Sequence, residues 1–152
     1  GNLLISFGPT PEGEIPAAVE EKMRELGKWT HKYEEAIYPT EQGIPVEYYH
    51  GDSTLSADGR TLYLFCNDKP NGFLLLNGIK STRMEVTSLT SGRKLNWTLT
   101  GGAPWLDMPG QIWIEVPEAD IDEICTVIKI VFEEPIDMIP CDEEKSSVGG
   151  VD

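Results

Sequence analysis

Neighbouring carboxylates are the side chains of this sequence best suited to acid–base chemistry. Pairs occur at Glu12 and Glu14, at Glu34 and Glu35, and at Glu133 and Glu134. Two carboxyl groups divide the work of a general acid and a general base when a pocket sets their pKa values apart. The sequence indicates no pocket around any of these pairs, and charged side chains are ordinarily solvated. We therefore expect surface positions for them and predict no catalytic residue.

Tryptophan is the other residue type with a candidate ligand chemistry, because an exposed indole can stack on a sugar ring. Trp29 and Trp97 fall on apolar faces, so we expect them in the core. Trp113 shares a strand face with polar residues, and Trp105 follows a Gly-Gly-Ala-Pro loop. These two are candidate sugar contacts. Alternatively, they cover a sandwich edge or dock another domain, which is a common use of tryptophan.

No spacing in the sequence is typical of a metal site. His31 and His50 are far apart, and Cys66, Cys125 and Cys141 are widely spaced without a CxxC pair. Free cysteine is often buried as a small apolar side chain. We expect two such thiols in strands and one in the tail, and neither a metal nor a cofactor.

The charge balance argues against several classes of partner. Twelve Lys+Arg and 26 Asp+Glu residues give a formal net charge of −14 at pH 7. This surplus of carboxylates repels nucleic acid phosphates and anionic lipid headgroups. No apolar stretch approaches the ~18 residues that a membrane span needs, and no signal peptide is visible. We expect neither a nucleic acid nor a membrane as partner.

A strand and a helix are predicted at the start of the chain. Residues 3–7 are a short, nearly continuous apolar run, which is typical of a strand covered on both faces in a parallel sheet. Apolar side chains then recur at steps of three and four, at Val19, Met23, Leu26, Trp29 and Tyr33. This spacing predicts an amphipathic helix of about four turns beginning near Pro16. A single β-α unit of this kind needs parallel neighbours, which residues 1–40 do not contain.

The pattern changes after residue 46, where apolar side chains begin to alternate with polar ones. Turn signals such as Asp58-Gly59 and Asn77-Gly78 separate the apolar runs. Strands are predicted at residues 61–66, 73–76, 83–89, 94–100, 111–116 and 125–133. Together these features predict an antiparallel β-sandwich of about seven or eight strands. Residues 141–152 are acidic and Gly-rich, and we expect a disordered tail there.

The N-terminal residues point to a family. Residues 1–16, G-N-L-L-I-S-F-G-P-T-P-E-G-E-I-P, resemble the segment G-N-L-L-L-N-x-G-P-x-x-D-G-x-I-P of α-L-fucosidases. These are retaining glycoside hydrolases with a catalytic (β/α)₈ barrel and a C-terminal β-sandwich. The resemblance continues through L-G-K-W at residues 26–29, E-A-I-Y-P-T at residues 35–40 and T-L-Y-L at residues 61–64. Ser6, where the family usually has Asn, and Pro39, where it has Gly, depart from the pattern.

The resemblance assigns a place in the family to each part of the chain. Residues 1–40 would be the last strand and helix of the barrel, residues 46–140 the β-sandwich and residues 141–152 the tail. The implied fold is mainly β (α+β), a sandwich preceded by one β-α unit left over from a barrel. Ser6 and Phe7 would then border the sugar pocket at the carboxyl end of the last barrel strand, although plain strand packing is the commoner role. A complete barrel needs roughly 250 residues.

The functional hypothesis follows from what the resemblance leaves out. Both catalytic carboxylates of the family lie on earlier barrel strands and have no counterpart here. We expect a non-catalytic C-terminal domain that is inactive alone and packs on the missing barrel. One alternative is a carbohydrate-binding module that uses Trp105 or Trp113 and takes fucosylated glycans. Another is an assembly module that presents its uncovered β-α unit to the barrel or to a second copy. Parent enzymes of this family are typically periplasmic, secreted or lysosomal; the sequence leaves the location of this chain open.

Overall fold

The computed structural model describes residues 4–140. Two antiparallel sheets face each other across an apolar core, and two helices cover the outer face of the larger sheet. In chain order the elements are α1 (Ala17–Lys32), α2 (Glu34–Ile37), β1 (Thr40–Gln42), β2 (Asp52–Ser56), β3 (Thr61–Cys66), β4 (Phe73–Leu76), β5 (Met84–Ser88), β6 (Trp97–Thr100), β7 (Gln111–Glu115) and β8 (Thr126–Phe132). Short 3₁₀ turns, Pro104–Leu106 and Glu118–Asp120, lie on either side of β7.

All pairings between neighbouring strands in the two sheets are antiparallel. The five-stranded sheet has the order β1-β2-β3-β8-β5, and the three-stranded sheet has the order β4-β7-β6. β3 and β8 are the inner pair of the larger sheet, with Leu64 opposite Ile128. The sandwich predicted from the alternating pattern is therefore confirmed.

The core lies between the two sheets. Side chains from β3, β7 and β8 alternate into it and are fully buried: Leu62, Leu64, Ile112, Ile114, Ile128 and Ile130. Burying one such side chain stabilises the fold by roughly 1.5–3 kcal/mol. The other face of β3 is buried as well, because Tyr63 and Phe65 pack under the helices. Coverage on both faces explains why β3 is apolar along nearly its whole length.

Helix α1 contacts the larger sheet through its last turn. The Trp29 indole donates a hydrogen bond of 3.0 Å to the Cys125 carbonyl, and its ring lies 5.3 Å from the Tyr33 ring and 6.4 Å from the Phe65 ring. Tyr33 is fully buried in the same cluster. No side chain within α1 itself is fully buried. The helix is thus held at its C-terminal end, while its apolar stripe is only half-covered.

The N-terminal segment differs from the sequence prediction. Leu4 to Phe7 belong to no strand, and their apolar side chains are exposed. A strand exists only where a neighbour supplies the other half of its hydrogen-bond ladder, and every strand of the described residues pairs elsewhere. The prediction of a strand at residues 3–7 is therefore wrong for the described part of that range, although the helix that follows is confirmed.

Smaller differences concern the edges of the sheets. The alternating pattern does not predict β1 and β2, because these strands are short and mostly polar. The strand predicted from residue 94 begins only at Trp97, since Lys94 makes just an isolated bridge to Thr87. The Asp58-Gly59 turn forms as predicted, with Gly59 at φ 69°. The predicted tail, residues 141–152, lies outside the described residues.

Candidate functional site

Ser6 and Phe7 lie in the exposed N-terminal segment. Phe7 is 42% exposed and Leu4 is 91% exposed. The segment joins no sheet among the described residues, and a place at the barrel rim of an intact parent enzyme stays a prediction for these two residues. Phe7, together with Leu4 and Ile5, forms an accessible apolar surface ahead of α1.

The two candidate sugar-contact tryptophans lie on separate features. Trp105 is 81% exposed within the 3₁₀ turn that follows β6. Trp113 lies in the middle of β7, half-buried, between Leu75 of β4 and Thr98 of β6. The two indoles therefore do not form a single pocket.

The loop that carries Trp105 is tightly constrained. Gly102 has φ 89°, and a Cβ there would lie 2.7 Å from the Gly110 nitrogen, so a side chain does not fit. Ala103 and Met108 close the loop through an antiparallel bridge. An open cavity of about 240 Å³ lies beside it, with Leu99, Met108 and the Lys80–Asp107 ion pair among its lining residues. Trp105 does not line this cavity.

The outer face of the three-stranded sheet is better organised. The side chains of β7 that point inward, Ile112 and Ile114, lie in the core. The alternate residues of β7 therefore point outward. The Gln111 side chain donates a hydrogen bond of 3.1 Å to the Asn77 side chain. Four residues further along β7, Glu115 accepts a hydrogen bond of 3.2 Å from the Asn96 side-chain amide. Trp113 lies between these two polar pairs.

The carboxylates near the helices are engaged in surface contacts. Glu35 accepts a hydrogen bond of 3.1 Å from the Tyr63 hydroxyl and pairs with Lys129. Burial, helped by the Glu35 charge, raises the pKa of Tyr63 to about 12. Glu34 lies 3.2 Å from His31 on an exposed surface. These contacts tie α2 and the end of α1 to the sheet.

The remaining paired carboxylates are also exposed. Glu12 and Glu14 lie in the loop before α1, and Glu133 lies 3.5 Å from Arg83 at the end of β8. Surface positions are what the sequence predicts for all of these pairs. Glu133 and Glu134 do line an open cavity, together with Arg83 and Phe132, where the sequence indicates no pocket. The other described cavities are lined by neither of the two remaining pairs.

Two acidic residues that the sequence did not single out are more enclosed. Asp120 is fully buried, accepts hydrogen bonds from Ser91 and from Arg93, and lies 2.5 Å from the Arg93 guanidinium. Burial alone would raise the pKa of Asp120, but these donors outweigh it and lower the pKa below the usual range. The arrangement fastens the turn after β7 to the β5–β6 turn.

Asp122 plays a similar part next to α1. It accepts hydrogen bonds of 2.7 Å from Lys32 and 2.8 Å from the Tyr33 hydroxyl. Burial opposes ionisation of Asp122, but Lys32, the Ile124 amide and Tyr33 together lower its pKa. Each aspartate therefore belongs to a structural ion pair, Asp120 with Arg93 and Asp122 with Lys32. Sequence spacing could not reveal them, because their partners are 27 to 90 residues away along the chain.

The two described thiols both have raised pKa values. Cys66 is buried in the core, and burial raises its pKa to about 11. Cys125 is half-buried, and its pKa is also raised, mainly by burial. Both thiols are free. Cys141 lies outside the described residues.

Residues 4–140 contain neither a cluster of metal-ligating side chains nor a membrane-spanning helix. Within residues 4–140, no group of three or more His, Cys, Asp or Glu side chains is placed to hold a metal ion. In the same range, no helix has both the length and the apolar character needed to cross a membrane.

Comparison with protein families identifies the N-terminal part of the chain. The family model for α-L-fucosidase matches residues 1–35. Plasma α-L-fucosidase of Rattus norvegicus is 30% identical over 134 residues, which is 82% of this chain and 27% of the relative. Human plasma α-L-fucosidase is 31% identical over 134 residues, 82% of this chain and 26% of the relative. The chain thus spans about a quarter of the length of these relatives.

Solved structures show the same relationship in three dimensions. α-L-Fucosidase isoenzyme 1 from Paenibacillus thiaminolyticus has a TM-score of 0.64 at 26% identity, covering 84% of this chain and 30% of that one. Thermotoga maritima α-fucosidase, solved with a mechanism-based inhibitor, has a TM-score of 0.68 at 24% identity, covering 86% and 30%, and so shows likeness of fold. Sequence and fold agree that the chain belongs to the α-L-fucosidase family of glycoside hydrolases and matches its C-terminal domain.

Proposed function

We propose that this chain is the non-catalytic C-terminal domain of an α-L-fucosidase-like hydrolase, inactive alone, which packs on the catalytic barrel and supports it. The observation that carries the proposal is the exposed apolar segment ahead of α1, in a chain that corresponds to about 27% of its relatives' length. Exposed apolar clusters of this kind mark contact surfaces.

The N-terminal segment and α1 supply the surface for that contact. Leu4, Ile5, Phe7 and Ile15 expose their side chains, and the helix stripe formed by Val19, Met23 and Leu26 is only half-buried. In an isolated domain these groups remain in water, which costs roughly 25 cal/mol for each Å² of apolar surface. A neighbouring catalytic domain would remove them from water.

The attachment of α1 suits a supporting role. Trp29 and Tyr33 fix the last turn of the helix to the five-stranded sheet, and the Lys32–Asp122 ion pair adds a third contact. A helix held at one end on a rigid sandwich keeps a constant direction. The sandwich would thereby orient whatever packs along α1.

The chemistry of the carboxylates supports inactivity of the chain alone. Retaining glycosidases use two carboxyl groups about 5–5.5 Å apart, one of which has a raised pKa. Here the enclosed carboxylates, Asp120 and Asp122, have lowered pKa values and are paired with cations. An acid that is ionised at neutral pH has no proton to donate to a leaving group.

Hydrolysis of 4-nitrophenyl α-L-fucoside by the purified chain tests the proposal. We expect no release of nitrophenol above the buffer blank. Turnover that disappears when one particular carboxylate is replaced by its amide would overturn the assignment, because it would locate a catalytic residue within this chain.

We also propose a second function, carbohydrate binding, because the two sandwich tryptophans remain accessible. Trp105 protrudes from a constrained loop, and Trp113 lies on the uncovered sheet face. Titration with a fucosylated oligosaccharide, followed by indole fluorescence, should give saturable quenching. A flat response would count against this second function and would leave the supporting role untouched.

A further inference from the structure

The outer face of the three-stranded sheet is an ordered array of alternating chemistry. The antiparallel register aligns Leu75, Trp113 and Thr98 in one row across the strands. Phe73, Glu115 and Asn96 form the row on one side. Asn77, Gln111 and Thr100 form the row on the other side. We call these nine residues the Trp113 face.

The Trp113 face has an aromatic centre, a polar pair beyond Trp113 in each direction along β7, and the apolar side chains of Phe73 and Leu75 along β4. Trp113 is half-buried, so the sheet holds its ring in place while part of it remains accessible. On either side the amides and the carboxylate are oriented by the Gln111–Asn77 and Asn96–Glu115 hydrogen bonds. Each of these planar groups keeps further donor or acceptor positions for a ligand.

A sugar ring has the matching pattern. Its C–H groups form an apolar face that stacks on an aromatic ring, and its hydroxyls lie around the edge, each able to donate and accept a hydrogen bond. Amide and carboxylate groups serve such hydroxyls from the side. Because the Trp113 face is built on strands, little freedom would be lost on binding.

Charge and size argue against other occupants. The Trp113 face contains no Lys or Arg, carries Glu115, and belongs to a chain with a net charge of −14, so an anionic ligand is disfavoured. Three strands at about 4.8 Å spacing and the five residues of β7 at about 3.4 Å rise give an area of roughly 250 Å². A stable protein interface needs about 800 Å² on each partner. A short, neutral oligosaccharide fits both limits.

The Trp113 face is also separate from the surface assigned to the barrel. The helices pack on the outer side of the five-stranded sheet, whereas this face is the outer side of the three-stranded sheet. The sandwich core lies between them. A ligand on the Trp113 face would not compete with a domain packed along α1.

We propose that the Trp113 face binds a neutral oligosaccharide, with one sugar ring stacked on Trp113 and its hydroxyls bonded to Gln111 and Glu115. This inference rests on the second proposed function, carbohydrate binding, and assigns its site. It gives Trp105 no role in that binding.

Nuclear magnetic resonance of the ¹⁵N-labelled chain tests the assignment through the indole N–H signals. The probes are 2′-fucosyllactose and, as a neutral sugar without fucose, maltotriose. We expect at least one of them to shift the Trp113 indole signal saturably while the Trp29 and Trp97 signals stay in place. The variants are followed through the backbone amide signals of β7, which remain when the indole is removed. Trp113→Ala should abolish the saturable shift of these signals, and Gln111→Ala or Glu115→Gln should each weaken the affinity at least threefold. Trp105→Ala is the matched control and should bind as the parent does.

The possible failures are distinguishable. If Trp105→Ala abolishes the saturable response and Trp113→Ala retains it, the Trp113 face is the wrong site, although carbohydrate binding stands. If neither probe gives a saturable shift, the Trp113 site and the second proposed function, carbohydrate binding, are both overturned. Should Trp113→Ala fail to fold, the exposed Gln111→Ala and Glu115→Gln variants decide instead, and unchanged affinity in both would reject the site.

Discussion

At the scale of single residues, Asp120 is the clearest case of a polar group that stabilises the fold. Its carboxylate is fully buried between the Ser91 hydroxyl and the Arg93 guanidinium. A buried charge is tolerable only when it is paired and hydrogen-bonded. Because these contacts join the turn after β7 to the β5–β6 turn, loss of the charge should loosen both turns.

Replacing Asp120 with Asn should lower the free energy of unfolding by about 2 kcal/mol, the scale of a hydrogen bond to a charged group. Arg93 is half-exposed, so solvent moderates the loss. Urea unfolding at pH 7 measures the effect. Glu118→Gln is the matched control, because Glu118 lies 3.6 Å from Lys69 on an exposed surface and should shift stability by less than about 0.5 kcal/mol. An unchanged urea midpoint in Asp120→Asn would contradict the structural role.

Acid should destabilise the chain through Asp120 and Asp122. Both have a lower pKa in the folded state than the ~3.9 of an unfolded aspartate, so the unfolded state binds more protons as the pH falls. Their contribution is complete at neutral pH and is lost below about pH 4. Urea midpoints at a series of pH values should therefore decline on acidification. The decline should be shallower in Asp120→Asn, and an identical slope in the two proteins would refute the assignment.

The position of Trp113 could be predicted from the sequence, whereas the ion pair of Asp120 could not. The outward position of Trp113 follows from simple alternation along β7, and the structure agrees with it. Asp120 gave no local signal, because its partners Ser91 and Arg93 are 29 and 27 residues away. Ion pairs between distant turns depend on how the sheets pack, and no spacing in the sequence encodes that.

At the scale of elements, the contact between α1 and the five-stranded sheet depends on one turn. Tyr33 donates to Asp122 at 2.8 Å and shares a hydrogen bond of 2.9 Å with Thr90, while its ring packs on Trp29. The rest of the helix has no fully buried side chain. The orientation of α1 therefore rests on its C-terminal end.

Tyr33→Phe keeps the ring and removes the hydroxyl, so it should cost about 1–2 kcal/mol of stability. It should also raise amide hydrogen exchange in α1 more than in β3, because the helix loses an anchor that the strands do not use. Tyr38→Phe is the control, since Tyr38 is 70% exposed. Equal exchange in α1 of the parent and of Tyr33→Phe would show that the hydroxyl does not hold the helix.

Helix and strands were not equally predictable from the sequence. The stripe of α1 and the alternation of β3, β7 and β8 are local patterns, and the structure contains all of them. The apolar run at residues 3–7 has the composition of a buried strand, yet Leu4 to Phe7 form none. A strand needs at least one hydrogen-bonded neighbour, and the described residues pair no strand with this run.

At the scale of the whole molecule, the main unsatisfied feature is apolar surface near the N-terminus. Leu4 and Phe7 are exposed there although the chain has a packed core elsewhere. An isolated domain with such a surface should bind a hydrophobic dye such as ANS and self-associate as its concentration rises. Dye fluorescence and light scattering measure both properties.

Leu4→Glu combined with Phe7→Glu should reduce dye binding and return the chain to a monomer, because charged side chains would oppose burial of this segment. Leu106→Glu is the matched control, since it alters an exposed apolar side chain in the loop after β6. A parent chain that stays monomeric and binds no dye would count against a docking role for the segment.

We propose that this chain supports a catalytic barrel and has no catalytic residues of its own. Hydrolysis of 4-nitrophenyl α-L-fucoside is measured for the chain alone and for a fusion in which the chain replaces the matching C-terminal part of the related Paenibacillus thiaminolyticus α-L-fucosidase. We expect no turnover by the chain alone and turnover by the fusion. Turnover by the chain alone, lost on replacement of one of its own carboxylates, would contradict the proposal.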